Sequence, residues 1–257
     1  MSTAYILYIM GFAGAGKTTL VSNFSKFLEK NGYRVAKINL DPGAEILPYI
    51  PDYDVREIVK LRDIMVKENL GPNGGLIRSV ECLIEKIDEV IPYISSRLRE
   101  VDWMLMDTTG QLELFAFRGL GERLTSLLRG NPSIGIFLVD VSAIKRASDI
   151  VMSQLISLAI QLKLNIDTIV VVNKFDLVDR RAMSIIDKFY TDIHAFKKLM
   201  GQMDVDTFTG MSIELVDILE KYMPPIRLIP ISAKTGRGFD ELYDIIHEVF
   251  CVCGDLT

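Results

Sequence analysis

Cysteine and histidine are scarce in this sequence: Cys82, Cys251 and Cys253 are the only thiols, and His194 and His247 the only imidazoles. Three cysteines at such spacing cannot build a disulfide framework, so the fold is expected to rest on its core in a reducing cytoplasm. Cys251-Val-Cys253 could hold a metal, but two isolated histidines make a poor complement, and small apolar residues at a helix end are the plainer reading. No basic residue precedes Lys17, so the charged region of a signal peptide is missing. No apolar run approaches the ~20 residues of a membrane span, and no membrane association is expected. Positive charge is not in excess either. The 29 Lys and Arg stand against 34 Asp and Glu, so the overall field gives no reason to expect direct nucleic-acid binding. Repeats, low-complexity tracts and Pro/Ser-rich linkers are absent as well. What is abundant is hydrophobic residues, 49% of the 257, enough for one large cored domain carrying insertions.

The chain is organised around Gly11-Phe-Ala-Gly14-Ala15-Gly16-Lys17-Thr18-Thr19. It follows the apolar strand Tyr5 to Met10 and opens a helical pattern, the context in which G-x-x-x-x-G-K-T cradles phosphates. The glycines let consecutive backbone N–H groups turn inward, and the helix opening at Thr18 adds the positive end of its dipole. Lys17 supplies a compact charge for the β- and γ-phosphates. The Thr18 hydroxyl is a hard ligand for Mg²⁺. These residues point to a nucleoside triphosphate.

Gly32 ends the first helix, and Tyr33 to Leu40 reads as the second strand, leaving Asp41 at its carboxyl end before Pro42 and Gly43. Helical spacing runs from Val55 to Glu68, halts at Gly71-Pro72-Asn73-Gly74-Gly75, and resumes from about Arg78 to Arg99. Trp103 to Met106 is a buried strand ending in Asp107-Thr-Thr109-Gly110-Gln111. Further strands are expected at 134–141, 168–172 and 227–231. This alternation predicts a three-layer α/β/α fold with a mostly parallel central sheet. A single domain over 1–257 would then carry helical insertions at about 55–100 and 180–223. Five methionines (Met183, Met200, Met203, Met211, Met223) fall in the second insertion beside Ile186, Phe189, Tyr190, Ile193 and Phe196. That face is either a partner groove or two helices packed on the sheet.

Asp107, followed closely by Gly110, has the place of the acidic partner of the phosphate loop. Its carboxylate would hold Mg²⁺ through water while the Gly110 N–H approaches the γ-phosphate. Asn173-Lys174-Phe-Asp176 also follows a buried strand. An ionised Asp176 accepts from N1–H and the N2 amine of guanine, whereas adenine would set a lone pair against it. The stem of Lys174 can lie over the base, and Asn173 can tie this loop to the phosphate loop. Ser232-Ala233-Lys234 would close the pocket, with the Ala233 N–H on guanine O6. Phosphoryl transfer to water is the expected reaction. Gln111 would orient the water, Glu113 would assist, and Asp41 would touch metal or water; for the last two, a solvated helix start and a turn residue account for the sequence nearly as well.

With those residues in view, the chain resembles the GPN-loop GTPases, from about Tyr5 to Val249. The specific mark is Gly71-Pro72-Asn73 within its helix–loop–helix, a stretch whose residues alone read as a plain turn. Thr109 departs from the proline usual there, which leaves the stiffness of that switch open. Phe12 stands where some relatives carry a lysine that crosses a dimer. The resemblance implies GTP/GDP and Mg²⁺ as ligands. It also implies a homodimer in which Asn73 reaches the partner's phosphates, and a protein client linked to RNA polymerase assembly. The chain length looks like the single-copy archaeal type. Two other readings stand beside a hydrolytic switch: an assembly scaffold that hardly turns GTP over, and a GTP-driven metallochaperone, which the few His and Cys disfavour.

Overall fold

The computed structural model describes residues 4–203, 209–222 and 228–254. The described strands are β1 (Tyr5–Gly11), β2 (Val35–Asn39), β3 (Tyr53–Asp54), β4 (Trp103–Asp107), β5 (Ser133–Asp140), β6 (Asp167–Asn173) and β7 (Leu228–Pro230). They form one sheet in the order β3-β2-β4-β1-β5-β6-β7, with every pairing parallel. The helices are α1 (Lys17–Lys30), α2 (Leu61–Lys67), α3 (Pro72–Glu85), α4 (Ile87–Leu98), α5 (Leu112–Ala116), α6 (Leu120–Leu127), α7 (Ala147–Leu164), α8 (Arg180–Thr191), α9 (Ile193–Met203), α10 (Thr209–Tyr222) and α11 (Phe239–Gly254). Arg227 and Met223 lie outside the described residues, as do the side chains of Met203, Cys251 and Cys253.

The strands are almost wholly apolar because both sheet faces are covered. Leu7 and Ile9 of β1, with Trp103 and Leu105 of β4, face Leu20, Phe24 and Leu28 of α1 and Leu242 and Ile246 of α11. Tyr8, Met10, Met104 and Met106 alternate to the other side, against the remaining helices. That alternation makes the three layers. Among the described helices, α7 has the length and mean hydropathy of a span (1.2), but its Ile150, Val151, Ile160 and Leu164 are buried in this core.

The first insertion differs from its sequence pattern in two places. A helix does not begin at Val55. Tyr53 and Asp54 pair with Ile38 and Asn39 as an edge strand, and the Asp54 carboxylate accepts from the Arg56 N–H and from Asn39 Nδ2. This local cap turns residues 55–57 into a 3₁₀ helix, and α2 starts only at Leu61. The spacing of Val55 and Val59 reported burial rather than helix. Nor do Pro72 to Gly75 form a plain turn before a helix at Arg78. They are the first turn of α3, with extended Gly71 at its cap and Pro72 at the position where its missing N–H costs nothing. Gly75 is required there by packing: a Cβ would lie 2.4 Å from Met65 Cγ and 3.1 Å from Leu61 Cδ1 on the crossing helix α2. The helix expected up to Arg99 is parted at Lys86 into α3 and α4. In the second insertion most of the apolar face is core: Ile186, Phe189, Phe196 and Met200 are buried, whereas Tyr190 and Met211 are exposed.

Candidate functional site

The loop between β1 and α1 lies at the carboxyl end of the sheet, and α1 begins at Lys17 with Gly16 as its cap at φ +98°. A side chain at Gly16 would strike the amide of Asn173, 2.4 Å from an added Cβ, so this glycine is demanded by backbone and neighbour alike. Gly14 is exposed, Ala15 is buried, and Thr18 and Thr19 are half-buried in the first turn of α1. The Lys17 ammonium donates to the carbonyls of Gly11 (2.9 Å), Phe12 (3.2 Å) and Gly110 (3.0 Å). It thereby joins the phosphate loop to the Asp107–Gly110 loop. Burial pushes its pKa down, while Asp107 and Asp41 pull the other way. Phe12 lies exposed, its ring edge-on to Phe137.

Asp107 ends β4 beside Ile9 of β1. Its Oδ2 accepts from the Tyr49 hydroxyl at 2.9 Å, and its Oδ1 is buried with no partner among the described residues. Burial raises its pKa to about 6, against the pull of the Tyr49 and Thr18 hydroxyls and the Lys17 charge. Asp41 Oδ1 accepts from the Gly43 N–H at 2.9 Å. Burial raises the Asp41 pKa too, and its carboxylate also accepts from the Gly110 N–H. The amide expected to face a γ-phosphate is therefore held here by the Asp41 carboxylate. Thr109, where relatives usually carry proline, is buried and its hydroxyl donates to the Gln111 carbonyl at 2.9 Å. Gln111 is exposed at the cap of α5. Glu113 is turned away to an exposed ion pair with Arg118 at 3.1 Å, so the structure does not bring it to the phosphate loop. Gly71, Pro72 and Asn73 are exposed at the start of α3.

On the far side of β1, Asn173 ties three loops together. Its Nδ2 donates to the Ala15 carbonyl (2.8 Å), and its Oδ1 accepts from the Ala233 N–H (2.8 Å). The Ala233 N–H, expected on guanine O6, here donates to the Asn173 side chain. Asp176 Oδ1 accepts from the Ser232 hydroxyl at 2.6 Å, which fixes the carboxylate. Lys174, at φ +63°, pairs through Nζ with Asp140 Oδ2 at 2.6 Å, so its stem is held in place. Lys234 is exposed beside them. Three participants were missed from sequence: Tyr49, Asp140 and Asn23, whose Nδ2 donates to the Ala233 carbonyl at 2.8 Å. Asp140 ends its strand as Asp107 does, and Tyr49 stands between Pro48 and Pro51, a sign of an ordered loop that could have singled it out.

An all-parallel sheet with a glycine-built, lysine-crowned loop between its central strand and the following helix is the architecture of a phosphate-loop NTPase. The family described as "Conserved hypothetical ATP binding protein" matches residues 9–252. A GPN-loop GTPase of Pyrococcus abyssi is 36% identical over 252 residues, covering 98% of this chain and 100% of that protein. The GPN-loop GTPase QQT1 of Arabidopsis thaliana is 31% identical over 222 residues, covering 83% of this chain and 74% of the relative. A crystal structure described as a GTPase in apo form from Pyrococcus abyssi superposes with a TM-score of 0.88 at 35% identity, covering 98% of this chain and all of that one. The chain belongs to the GPN-loop GTPase family.

Proposed function

We infer that this chain, a GTP-hydrolysing enzyme by its family, binds GTP with Mg²⁺ and transfers the γ-phosphoryl group to water as a homodimeric switch or assembly factor. The observation that carries this reading is the chain of contacts from Asp176 through Ser232 and Asn173 to the phosphate loop. It ties the Asp176 carboxylate to the phosphate cradle, and a carboxylate so held would select guanine over adenine. The donor set also fits a hard divalent cation: the buried Oδ1 of Asp107, which has no partner among the described residues, with the Thr18 hydroxyl and the Asp41 carboxylate for direct or water-bridged contact. When bound, Mg²⁺ would supply charge neutralisation at the β- and γ-oxygens.

The chain's own residues do the rest. Lys17 exchanges its carbonyl partners for phosphate oxygens, a stronger charge-assisted pairing. The Gly110 N–H exchanges Asp41 for the γ-phosphate, which frees the Asp41 carboxylate for the attacking water. Gln111, exposed next to Gly110, orients that water. Asn73, exposed at the start of α3, would complete the partner's site, and the partner's loop this one.

The test is complementation. Gln111→Ala and Asn73→Ala should each bind GTP yet lose turnover ~10²-fold. Mixed in equal amounts with free exchange, half the dimers are mixed and each holds one intact site, so activity should return to roughly a quarter of wild type. No recovery, with exchange verified, would place both residues in one chain's site and remove the dimer from the mechanism. A wild-type protein with no single-turnover hydrolysis would favour the scaffold instead.

A further inference from the structure

We propose that Tyr49 is a positioning residue for the metal site: its hydroxyl occupies one oxygen of Asp107 so that the other faces the cation. The proposal rests on the Mg²⁺-dependent reading above and goes beyond it in assigning a role to the β2–β3 connection. That connection crosses the carboxyl end of the sheet and is pinned to α1, where the Ser22 hydroxyl donates to the Pro48 carbonyl at 3.1 Å. Pinning at residue 48 seats the next ring, Tyr49, against the α1 side of the core. From there its hydroxyl reaches Asp107 Oδ2 at 2.9 Å.

The Asp107 backbone is already fixed, in register with Ile9 and Asn39 and with its carbonyl accepting from the Leu40 N–H at 2.8 Å. Only the side-chain torsions remain free. The nearby cation, Lys17, is the competitor for this carboxylate. A direct Lys17–Asp107 pair would neutralise two groups that a nucleotide and its metal both need. The tyrosine hydroxyl is a neutral donor, so it holds Oδ2 without quenching the charge. Oδ1 is left buried and without a hydrogen-bond partner among the described residues, with the Thr18 hydroxyl close to the same carboxylate. Outer donors of this kind orient a metal-binding carboxylate, and losing one costs ~10–100-fold in metal affinity.

Tyr49→Phe removes the hydroxyl and keeps the ring. Mn²⁺ is the probe, followed by its paramagnetic resonance in the presence of GDP, alongside fluorescent-GDP binding in EDTA. The variant should need ~10-fold more Mn²⁺ for half-saturation, while its metal-free GDP affinity stays within about twofold of wild type. Single-turnover hydrolysis should show the same displacement in Mg²⁺ and recover at saturating Mg²⁺. If Tyr49→Phe does not fold, Ser22→Ala, which cuts the tether and keeps the tyrosine, should raise the Mn²⁺ midpoint at least ~2-fold. A folded Tyr49→Phe protein, or failing that a Ser22→Ala protein, that binds Mn²⁺ like wild type overturns the role of Tyr49 alone. A wild type that binds no Mn²⁺ with GDP overturns the metal reading, and this role with it.

Discussion

Replacing Asp107 with Asn should stabilise the nucleotide-free protein, and it should do so only above a particular pH. Burial lifts the Asp107 pKa from an ordinary 3.8 to about 6, so the folded state holds a proton there that the unfolded chain has lost. Between those two values the native state binds more protons, and stability falls as pH rises. At ~1.4 kcal/mol per pH unit, the whole interval is worth about 3 kcal/mol. Below the unfolded value neither state is charged and nothing is lost; above about pH 6 the loss is complete and constant. An asparagine has no such titration, and its Oδ1 can still accept from the Tyr49 hydroxyl. Whatever the amide adds or removes by its own fit is the same at every pH. The advantage of Asp107→Asn over wild type should therefore grow by about 3 kcal/mol between pH 4 and pH 7 and then level off. In a chain of this size that corresponds to roughly 6–12 °C in Tm. Urea denaturation of both stripped proteins across this range, without nucleotide or divalent cation, measures it; Asp41 and Lys17 titrate in both and largely cancel. A difference independent of pH would refute the argument that the acidic partner of the phosphate loop is held at the expense of stability. With Mg²⁺ and GTP the order should reverse, because ligand stabilises only the protein that binds it.

Three further outcomes follow from the same geometry. Asp176→Asn should weaken GTP and gain xanthosine triphosphate, whose extra carbonyl accepts from the new amide; competition binding with both nucleotides decides it, and unchanged GTP affinity would misplace the base pocket. Tyr8→Phe should stabilise the chain by about 1–3 kcal/mol in urea, since the Tyr8 hydroxyl is fully buried with no partner among the described residues. Gly75→Ala should destabilise by about 1–3 kcal/mol through its clash with Met65. Hydrogen exchange should quicken in 61–67 while GDP affinity is kept; an effect on GDP binding instead would tie this helix crossing to the nucleotide.

Local chemistry made much of the site legible from sequence. The phosphate loop is contiguous, so its glycines, Lys17 and Thr18 announce themselves by spacing, and Asp107 and Asp176 stand where apolar strands stop. The alternation of apolar strands with helices likewise foretold the parallel sheet and its two covered faces. The helix starts were less legible, because Pro72 and Gly75 are breakers by propensity: Pro72 fits only as the first residue of α3, and Gly75 is needed where α2 packs too close for a Cβ. That Asn173 ties its loop to the phosphate loop was legible, and it meets Ala15 across 158 residues. That its Oδ1 also takes the Ala233 N–H, across 60 residues, was not. Tyr49 meets Asp107 across 58. Motif spacing names the groups that carry the chemistry. The order of the strands, with β1 seated between β4 and β5, decides which loops share one end of the sheet, and so which hydrogen bonds those groups have left to give.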